Sequence, residues 1–247
     1  MGEIIAVLSG KGGTGKTSLC AGIAAALAQA GESVLCIDCD IGLRNLDIAL
    51  AITDGGTMSF LELCREEYDF TQIPRHLLYP KMSFLTAPVN CLSDEVDPQA
   101  FSAMLRRARE HFKYVFLDAP AGLDAGFRLC GTNADRCLLV TCADPASVRD
   151  AARAGQQLEA MGKTDVRLVV NRVSSKLYKT LSITVDDVMD RAGLPLLGIV
   201  PEDGNVTLAA AFEKPLLEFT KRGAAAACRR IAKRIQGLPE PIQTRKI

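Results

Sequence analysis

The sequence predicts a doubly wound α/β domain, in which a mostly parallel sheet is covered by helices on both faces. Strand-like apolar runs alternate with helix-like segments along most of the 247 residues, the order expected of parallel strands joined by helical crossovers. Several runs are continuously apolar, as in strands that are buried on both faces. A glycine-rich loop joins the first run to the first helical segment.

The apolar patterns place the individual elements along the chain. The predicted strands are Glu3–Leu8, Val34–Asp38, Met82–Thr86, Tyr114–Asp118, Arg136–Thr141, Val166–Asn171 and Leu196–Pro201. The predicted helices are Lys16–Ala30, Asp97–His111, Pro145–Met161, Thr184–Ala192 and Leu216–Gln236. We expect one domain over residues 1–237 and a short tail over residues 238–247. Ligands of such sheets bind beyond the carboxyl ends of the strands.

Composition and charge narrow the class of protein. Hydrophobic residues make up 48% and charged residues 23%, as in ordinary globular proteins. The formal net charge is zero, so any attraction to nucleic acid or acidic lipid must come from a local patch. No run reaches the roughly 18 apolar residues that span a bilayer. Residues 1–10 lack the basic start of a signal peptide, and we expect a cytoplasmic protein.

Nine cysteines are scattered through apolar segments. An odd, dispersed set favours unpaired thiols in a reducing compartment over a disulfide framework. Cys36 and Cys39 form a single CxxC, and a metal site would need a second pair or nearby histidines. The sequence holds only two histidines, His76 and His111. We interpret the CxxC as a chance match.

The glycine-rich loop over residues 10–17 has the sequence GKGGTGKT and fits the phosphate-binding pattern G-x-x-x-x-G-K-[ST]. Its glycines let the backbone turn tightly and aim N–H groups at phosphate oxygens, and the next helix adds its positive end. Lys16 would neutralise the β- and γ-phosphates, and Thr17 would offer its hydroxyl to Mg²⁺. The predicted phosphate-binding residues are Gly10, Lys11, Gly12, Gly13, Thr14, Gly15, Lys16, Thr17 and Ser18.

Three aspartates lie at or just beyond the ends of two apolar strands. Asp118 ends one strand, where a P-loop protein holds Mg²⁺ directly or through its waters. Asp38 ends another strand and would join the magnesium water network, while Asp40 would orient the attacking water. A lone aspartate is ordinarily a cap of a helix or turn. Three of them beside a phosphate loop favour a catalytic site.

Lys11 gives the loop a second lysine in the pattern K-G-G-x-G-K-T. This pattern marks the deviant Walker A ATPases, which include MinD, ParA and the nitrogenase iron protein, and the chain resembles that family. Residues 37–47 resemble the switch I segment of its MinD branch, D-x-D-I-G-L-R-N-L-D, and residues 118–122 resemble its switch II, D-S/A-P-A-G. The resemblance covers roughly residues 1–236 and is weakest over residues 58–94.

The resemblance implies Mg²⁺-dependent hydrolysis of ATP by a homodimer that regulates the division site. Lys11 would reach the partner's nucleotide and act, with Lys16 and Asp40, in catalysis. Residues 147–151 are similar to the S-V-R-D segment that in MinD lies near the dimer and partner surface. The resemblance also implies a protein partner of the MinC or MinE type, or an equivalent one, and no residue selects among these. The implied metal residues are Thr17, Asp38 and Asp118, and the implied adenine contacts are Asn171, Arg172, Pro201, Glu202 and Asp203.

The C-terminus departs from the family pattern. MinD proteins usually end in an amphipathic membrane helix, but Pro239 and Pro241 disfavour one here, and the six residues beyond are too few. A peripheral position on the inner face of the cell membrane therefore stays an open expectation. Six basic residues precede the tail: Lys221, Arg222, Arg229, Arg230, Lys233 and Arg234. They form either the solvated face of a core helix or a weak site for acidic lipid or DNA.

Two other functions remain open at this stage. The chain could be a ParA-like DNA-partition ATPase, although the switch I sequence argues against this and makes DNA the less expected partner. Alternatively, it could be a nucleotide-binding adaptor that barely hydrolyses ATP and recruits another surface-localised assembly. The missing membrane tail keeps the adaptor hypothesis open.

Overall fold

Parallel strands form the centre of the structure, a computed structural model that describes residues 1–52, 57–88, 96–174, 180 and 184–242. In this described part, eight strands form one sheet in the order β3-β4-β2-β5-β1-β6-β7-β8, and all the ladders between them are parallel. The strands are β1 (Glu3–Leu8), β2 (Val34–Asp38), β3 (Met58–Ser59), β4 (Met82–Thr86), β5 (Tyr114–Asp118), β6 (Arg136–Thr141), β7 (Val166–Val173) and β8 (Leu196–Pro201).

Helices connect the strands and cover the sheet. The helices are α1 (Lys16–Gln29), α2 (Leu46–Leu50), α3 (Phe60–Cys64), α4 (Pro98–His111), α5 (Ala125–Asn133), α6 (Pro145–Ala160), α7 (Val185–Ala192), α8 (Asn205–Ala211), α9 (Leu216–Phe219) and α10 (Gly223–Ile235). A 3-10 turn covers Phe70–Gln72. This architecture confirms the predicted fold class, and all seven predicted strands are present.

The core lies on both faces of the sheet, which explains the continuously apolar strands. Every residue of β2, β4 and β5 is buried. On one face, α1 is buried nearly all round and packs with α10 in a single apolar cluster. On the other face, residues of α4, α5 and α6 form a second cluster. Alanines make up much of the buried surface of α1, so it can pack closely against both the sheet and α10.

The predicted helix Leu216–Gln236 is wrong as a single element. The chain leaves the helical conformation at Thr220 and Arg222, and Gly223 has a φ of 56°, a left-handed value that favours glycine. Helix α10 then restarts with the Ala224 N–H donating to the Asp203 carboxylate at 2.9 Å. The basic residues and apolar spacing concealed this break. Short elements such as α2 and β3 were also missed, because their few residues show no clear periodicity.

The described part of the tail lies against α10 and uses its basic residues. The Arg234 guanidinium donates to the carbonyl oxygens of Glu240 at 2.8 Å and Pro241 at 2.7 Å, and Lys233 pairs with the Glu240 carboxylate at 3.0 Å. The Arg229 side chain donates to the Leu217 carbonyl. These contacts favour the interpretation of a core helix. Within the part of the chain that is described, no helix is long and apolar enough to cross a membrane.

Six of the described cysteines are buried, and Cys64 and Cys142 are half-buried. Eight of the nine fall among the described residues, and all eight are free; Cys91 lies outside them. The Cys36 sulfur contacts the Met82 sulfur at 3.9 Å, whereas the Cys39 thiol points to the Ile37 carbonyl at 3.8 Å. No group of three or more histidine, cysteine or acidic side chains in the described ranges is arranged to hold a metal ion. The buried thiols therefore act as small core side chains.

Close packing of β8 against α10 gives a test of the fold. A Cβ added at Gly198 would lie 2.5 Å from Ile231 Cγ1, whereas one added at Gly204 meets nothing within 4 Å. We expect Gly198→Ala to destabilise the protein by about 1–3 kcal/mol, or roughly 2–12 °C in melting temperature. Gly204→Ala is the matched control and should change the melting temperature little. Equal melting curves for the two variants would contradict this packing.

Candidate functional site

The glycine-rich loop connects β1 to α1 in a conformation that only glycine readily adopts. Gly13 has a φ of 78° and Gly15 has a φ of 87°, both left-handed values that are costly for other residues. A side chain at Gly15 is also excluded by Asn171, whose Nδ2 would lie 2.3 Å from an added Cβ. Asn171 is 7% exposed, and its amide donates to the Thr14 carbonyl at 2.7 Å. The end of the loop is therefore fixed to β7.

An open cleft of about 380 Å³ lies over the loop, at the carboxyl ends of the strands. Its lining includes much of the predicted phosphate loop together with Asp40. The residues lining it are Gly12, Gly13, Gly15, Lys16, Thr17, Ser18, Asp40, Leu43, Asn45, Ile48, Ala49, Ala121, Arg172, Val206, Ala209, Ala210, Lys214 and Leu216. Glycine-rich backbone, a lysine and two hydroxyl side chains on one wall form a surface suited to a phosphate chain.

The strand register brings two of the predicted aspartates together beneath this cleft. Asp38 and Asp118 are register partners at the ends of β2 and β5, and each is 1% exposed. Both carboxylate oxygens of Asp38 accept backbone hydrogen bonds, one from Asp40 at 2.9 Å and the other from Leu46 at 3.1 Å. Asp38 therefore shapes the segment that carries Asp40. The Asp40 carboxylate accepts from the Leu43 N–H at 3.3 Å.

Burial makes this carboxylate pair costly to ionise. Burial and then the neighbouring Asp38 raise the pKa of Asp118 to about 7, against the lowering effects of a hydrogen bond from Thr17 and the charge of Lys16. Burial likewise raises the pKa of Asp38 to about 6. Burial also lowers the pKa of Lys16, while the charges of Asp118 and Asp40 counteract that shift. A divalent cation beside the pair would favour its ionised form.

The residues present fit a nucleotide with Mg²⁺. Asp118 Oδ1 and Thr14 Oγ1 are buried and have no hydrogen-bond partner, so each has bonding capacity left for a ligand. The Thr17 side chain is close enough to Asp118 to lower the pKa of that carboxyl. Carboxylate and hydroxyl oxygens are the ligands that Mg²⁺ prefers, usually alongside waters and phosphate oxygens. The donor set therefore suits a magnesium-bound triphosphate.

Lys11, the second lysine of the loop, is held by an acidic group of its own chain. Its ammonium lies 3.2 Å from the Asp144 carboxylate, and both side chains are partly exposed. Asp144 also caps α6, because it accepts hydrogen bonds from the backbone N–H and the hydroxyl of Ser147. The S-V-R-D segment, residues 147–150, is therefore connected to the loop lysine through a single carboxylate. A half-exposed ion pair of this kind is easily exchanged for another partner.

The predicted adenine contacts line a second, smaller cavity of about 60 Å³ beside α1. All five predicted residues are in its wall: Asn171, Arg172, Pro201, Glu202 and Asp203. Arg172 also lines the larger cleft and has a φ of 53°, an unusual value for a residue other than glycine. Asp203 has a further role, because its carboxylate accepts from the Asn205 N–H at 3.0 Å and from Ala224 at the start of α10.

Several cleft residues carry no motif that could have revealed them. Ile48 on α2, and Val206 and Lys214 on or just after α8, reach the cleft through short helices that the apolar pattern does not predict. Arg44 is a further functional candidate. It has a φ of 45°, and its guanidinium donates twice to Thr86 Oγ1, at 3.1 and 2.8 Å. It thereby fixes the segment after Asp40 to the end of β4.

Most of the chain is similar to known nucleotide-binding proteins. The sequence pattern of one protein family, the CobQ/CobB/MinD/ParA nucleotide binding domain, matches residues 5–216. The septum site-determining protein MinD of Synechocystis is 32% identical over 98% of this chain and 92% of its own length, and that of Bacillus subtilis is 34% identical over the same shares. The MinC:MinD complex structure of Aquifex aeolicus superimposes with a TM-score of 0.90 at 30% identity, covering 98% of each chain.

The fold and the phosphate loop define a P-loop nucleotide-binding protein. The chain belongs to the MinD family of septum site-determining ATPases, within the CobQ/CobB/MinD/ParA nucleotide-binding domain family. Solved relatives include a MinD protein of Pyrococcus horikoshii in complex with Mg-ADP, which at 22% identity and a TM-score of 0.82 shares the fold.

The buried carboxylate pair predicts a pH dependence of the ligand-free protein. Unfolding lowers the pKa of Asp118 from about 7 towards 3.8. The folded chain thus binds this proton more tightly, and the contribution of Asp118 to stability falls as the pH rises between these values. Asp118→Asn removes this charge, so at pH 8 we expect the variant to melt several degrees above the parent. For a chain of this size, each kcal/mol of added stability raises the melting temperature by about 2–4 °C.

The same substitution tests the metal assignment. Stabilisation by ATP with Mg²⁺, measured as the rise in melting temperature on adding both, should be largely lost in Asp118→Asn. Asp97→Asn changes an exposed capping aspartate of α4 and is the control, which should retain that stabilisation. A melting-temperature difference between Asp118→Asn and the parent that does not grow between pH 4 and pH 7 would contradict the raised pKa of Asp118.

Proposed function

We propose that this chain is a MinD-type ATPase switch that dimerises on ATP and takes part in placing the division site. The observation that carries the proposal is the loop with two lysines above the buried Asp38–Asp118 pair. The two-lysine loop suits a nucleotide shared between two chains, and the carboxylate pair suits the magnesium bound to that nucleotide. The proposed ATPase domain covers residues 1–237, and residues 238–247 form a tail.

Nucleotide binding is assigned to the two cavities together. The triphosphate would lie on the loop, with backbone N–H groups from residues 10–15 and the end of α1 facing its oxygens. Lys16 would lie against the β- and γ-phosphates. The base would lie beside Arg172 and residues 201–203, which line the second cavity. Arg172 lines both cavities, so it is suited to the junction between base and phosphates.

Catalysis by this arrangement depends on positioning and charge. Thr17 and Asp118 would hold Mg²⁺, directly or through its waters, and the ion would neutralise negative charge on the phosphate oxygens. Asp38 orders the segment that follows it through its two backbone hydrogen bonds. Asp40, which lines the cleft at the start of that segment, would orient the attacking water. Lys16 would stabilise the charge that develops as the phosphoryl group leaves.

Dimerisation would complete the site through Lys11. In the single chain its ammonium is paired with Asp144, a partly exposed contact that contributes little stability. In the dimer each Lys11 would leave Asp144 and contact the partner's nucleotide, adding a positive charge at the reacting phosphate as an arginine finger does. Asp144 would keep its bonds to Ser147, so α6 would remain capped while the lysine moves.

A protein partner and a membrane location belong to the same proposal. The Aquifex relative was solved in complex with MinC, which supports a MinC-type partner for this chain, and a MinE-type activator would fit the same switch. The septum forms at the membrane, so we place the protein at its inner face. DNA is a poorer partner, because the net charge is zero and Arg229, Lys233 and Arg234 have contacts within the chain.

The decisive test separates Lys11 from its acidic partner. We expect Lys11→Ala to remain a monomer with ATP and to lose most of its turnover, by at least about tenfold, since comparable charges contribute 10³–10⁵. Asp144→Ser is the matched variant, because serine still caps a helix but cannot pair with the lysine. It should dimerise at least as well as the parent. Sedimentation velocity and phosphate release measure both effects.

The outcomes also distinguish the competing hypotheses. A parent that stays monomeric with ATP, together with a Lys11→Ala turnover equal to the parent's, would refute the shared-nucleotide mechanism. Tight ATP binding by the parent with no detectable phosphate release would instead support the adaptor hypothesis. Retention on DNA that requires ATP and is lost in Arg229→Glu/Arg230→Glu would support the ParA-like hypothesis.

A further inference from the structure

Residues 73–81, here called the leucine segment, hold two adjacent leucines out in solvent. Every third residue is buried: Ile73 is 4%, His76 is 7% and Tyr79 is 2% exposed. Between these anchors Leu77 is 84% and Leu78 is 58% exposed. The remaining residues of the segment, Pro74, Arg75, Pro80 and Lys81, are also exposed. Because His76 and Tyr79 are buried on either side of the two leucines, the chain holds Leu77 and Leu78 on its solvent-facing side.

Hydrogen bonds fix the shape of this segment. The His76 ring spans two of them, with Nε2 lying 2.7 Å from the Leu50 carbonyl and Nδ1 accepting from the Leu78 N–H at 3.1 Å. The backbone adds His76 N–H to the Met82 carbonyl and Met82 N–H to the Tyr79 carbonyl, both at 2.8 Å. The leucines are therefore presented by an ordered turn, and binding them would require little further ordering of the backbone.

The segment lies far from the chemistry proposed above. It enters β4 at the amino end of that strand, where the Val34 N–H at the start of β2 donates to the Lys81 carbonyl. The phosphate loop and the aspartates lie at the carboxyl ends of the strands. Neither cavity of the nucleotide site includes a residue of the leucine segment. Its exposed leucines thus have no part in binding or hydrolysing ATP.

The charges around the leucines indicate what kind of surface they fit. Arg75 and Lys81 flank them, and the chain holds no acidic residue between Asp69 and Asp94. Glu218 and Arg229 are close enough to Tyr79 to act on its pKa, and their opposite charges shift it in opposite directions. Bulky apolar tips between exposed cations are typical of segments that bind the interface of an anionic bilayer. Two leucines are too small to form a stable protein interface, which buries about 800 Å² on each partner.

We propose that the leucine segment is a membrane-contact site that inserts Leu77 and Leu78 among the acyl chains of an anionic bilayer. Arg75 and Lys81, which flank the leucines in the sequence, pair with the lipid phosphates. The proposal rests on the membrane location in the proposed function, and it is independent of ATP hydrolysis. It assigns the contact to a folded segment at the amino end of the sheet.

A single-tryptophan probe tests this site, since the chain has no tryptophan of its own. Leu77→Trp places one at the proposed tip, and Leu208→Trp places one at another exposed leucine, on α8. With vesicles of phosphatidylcholine and phosphatidylglycerol, the emission of Leu77→Trp should shift to the blue and be quenched by brominated acyl chains. The emission of Leu208→Trp should not change. Vesicles of phosphatidylcholine alone should give a weaker response.

Aspartate substitutions measure the contribution of the leucines to binding. In flotation with the same anionic vesicles, Leu77→Asp/Leu78→Asp should lower the partition coefficient at least about tenfold, whereas Leu208→Asp should not. Arg75→Glu/Lys81→Glu should weaken binding to anionic vesicles selectively. All five substituted side chains are exposed, and unchanged melting curves would verify folding. Phosphate release and ATP-dependent dimerisation, assayed in the same variants, should be unchanged, so failure of the ATPase mechanism is distinguishable from failure of this site.

Three results would overturn the proposal. One is that the parent chain does not bind anionic vesicles at all. Another is that the double aspartate variant binds them as well as the parent does. The third is that the parent binds while Leu77→Trp keeps its aqueous emission. If the aspartate variants instead lose a protein partner and keep vesicle binding, the leucine segment is a protein-docking surface and the membrane assignment is wrong.

Discussion

The alignment of the carboxyl ends of β1, β2 and β5 is the constraint on which the rest of this structure depends. Parallel pairing in register sets Asp38 opposite Asp118 and brings both beneath the loop that follows β1. The sheet thereby concentrates buried negative charge at one point, next to Lys16. Burial raises the pKa of both carboxyls and makes their negative charge unfavourable in the isolated protein. A ligand that carries a divalent cation would offset this cost, so the site favours such a ligand.

The same constraint connects the site to the segments around it. Each oxygen of Asp38 accepts one backbone hydrogen bond, so this carboxylate orders the chain that carries Asp40. Asn171 acts comparably from the other side, since its amide fixes the phosphate loop to β7 and excludes a side chain at Gly15. Movement of either segment must therefore disturb backbone contacts at the phosphate site. A switch protein requires such a link between its nucleotide and its surface.

Much of the fold could be predicted from the sequence, because buried parallel strands leave long apolar runs and the phosphate loop has a nearly unique pattern. The strands and the loop fall where those patterns place them. The break at Gly223 could not be predicted, because it depends on Asp203, a residue twenty positions earlier that caps the new helix. The cleft walls supplied by α2 and α8 were also hidden, since such short helices carry little periodicity.

The partners of the charged side chains could not be predicted from the sequence either. The pattern K-G-G-x-G-K-T marks Lys11 as unusual, but only the structure shows its ammonium on Asp144 and, through that carboxylate, next to the cap of α6. The basic residues near the C-terminus gave two interpretations, and their contacts with Glu240 and Pro241 favour the core helix. In both cases the missing information was the partner of a long charged side chain, which sequence spacing does not specify.

A crystal structure of the Asp40→Ala variant with ATP and Mg²⁺ would test the central claim most directly, since loss of the water-orienting carboxylate should preserve the triphosphate. The account predicts two chains related by a two-fold axis, with each Lys11 ammonium within hydrogen-bond distance of the partner's phosphates and more than 4 Å from its own Asp144, the limit for an ion pair. A single ATP-loaded chain in which Lys11 still pairs with Asp144 would contradict it.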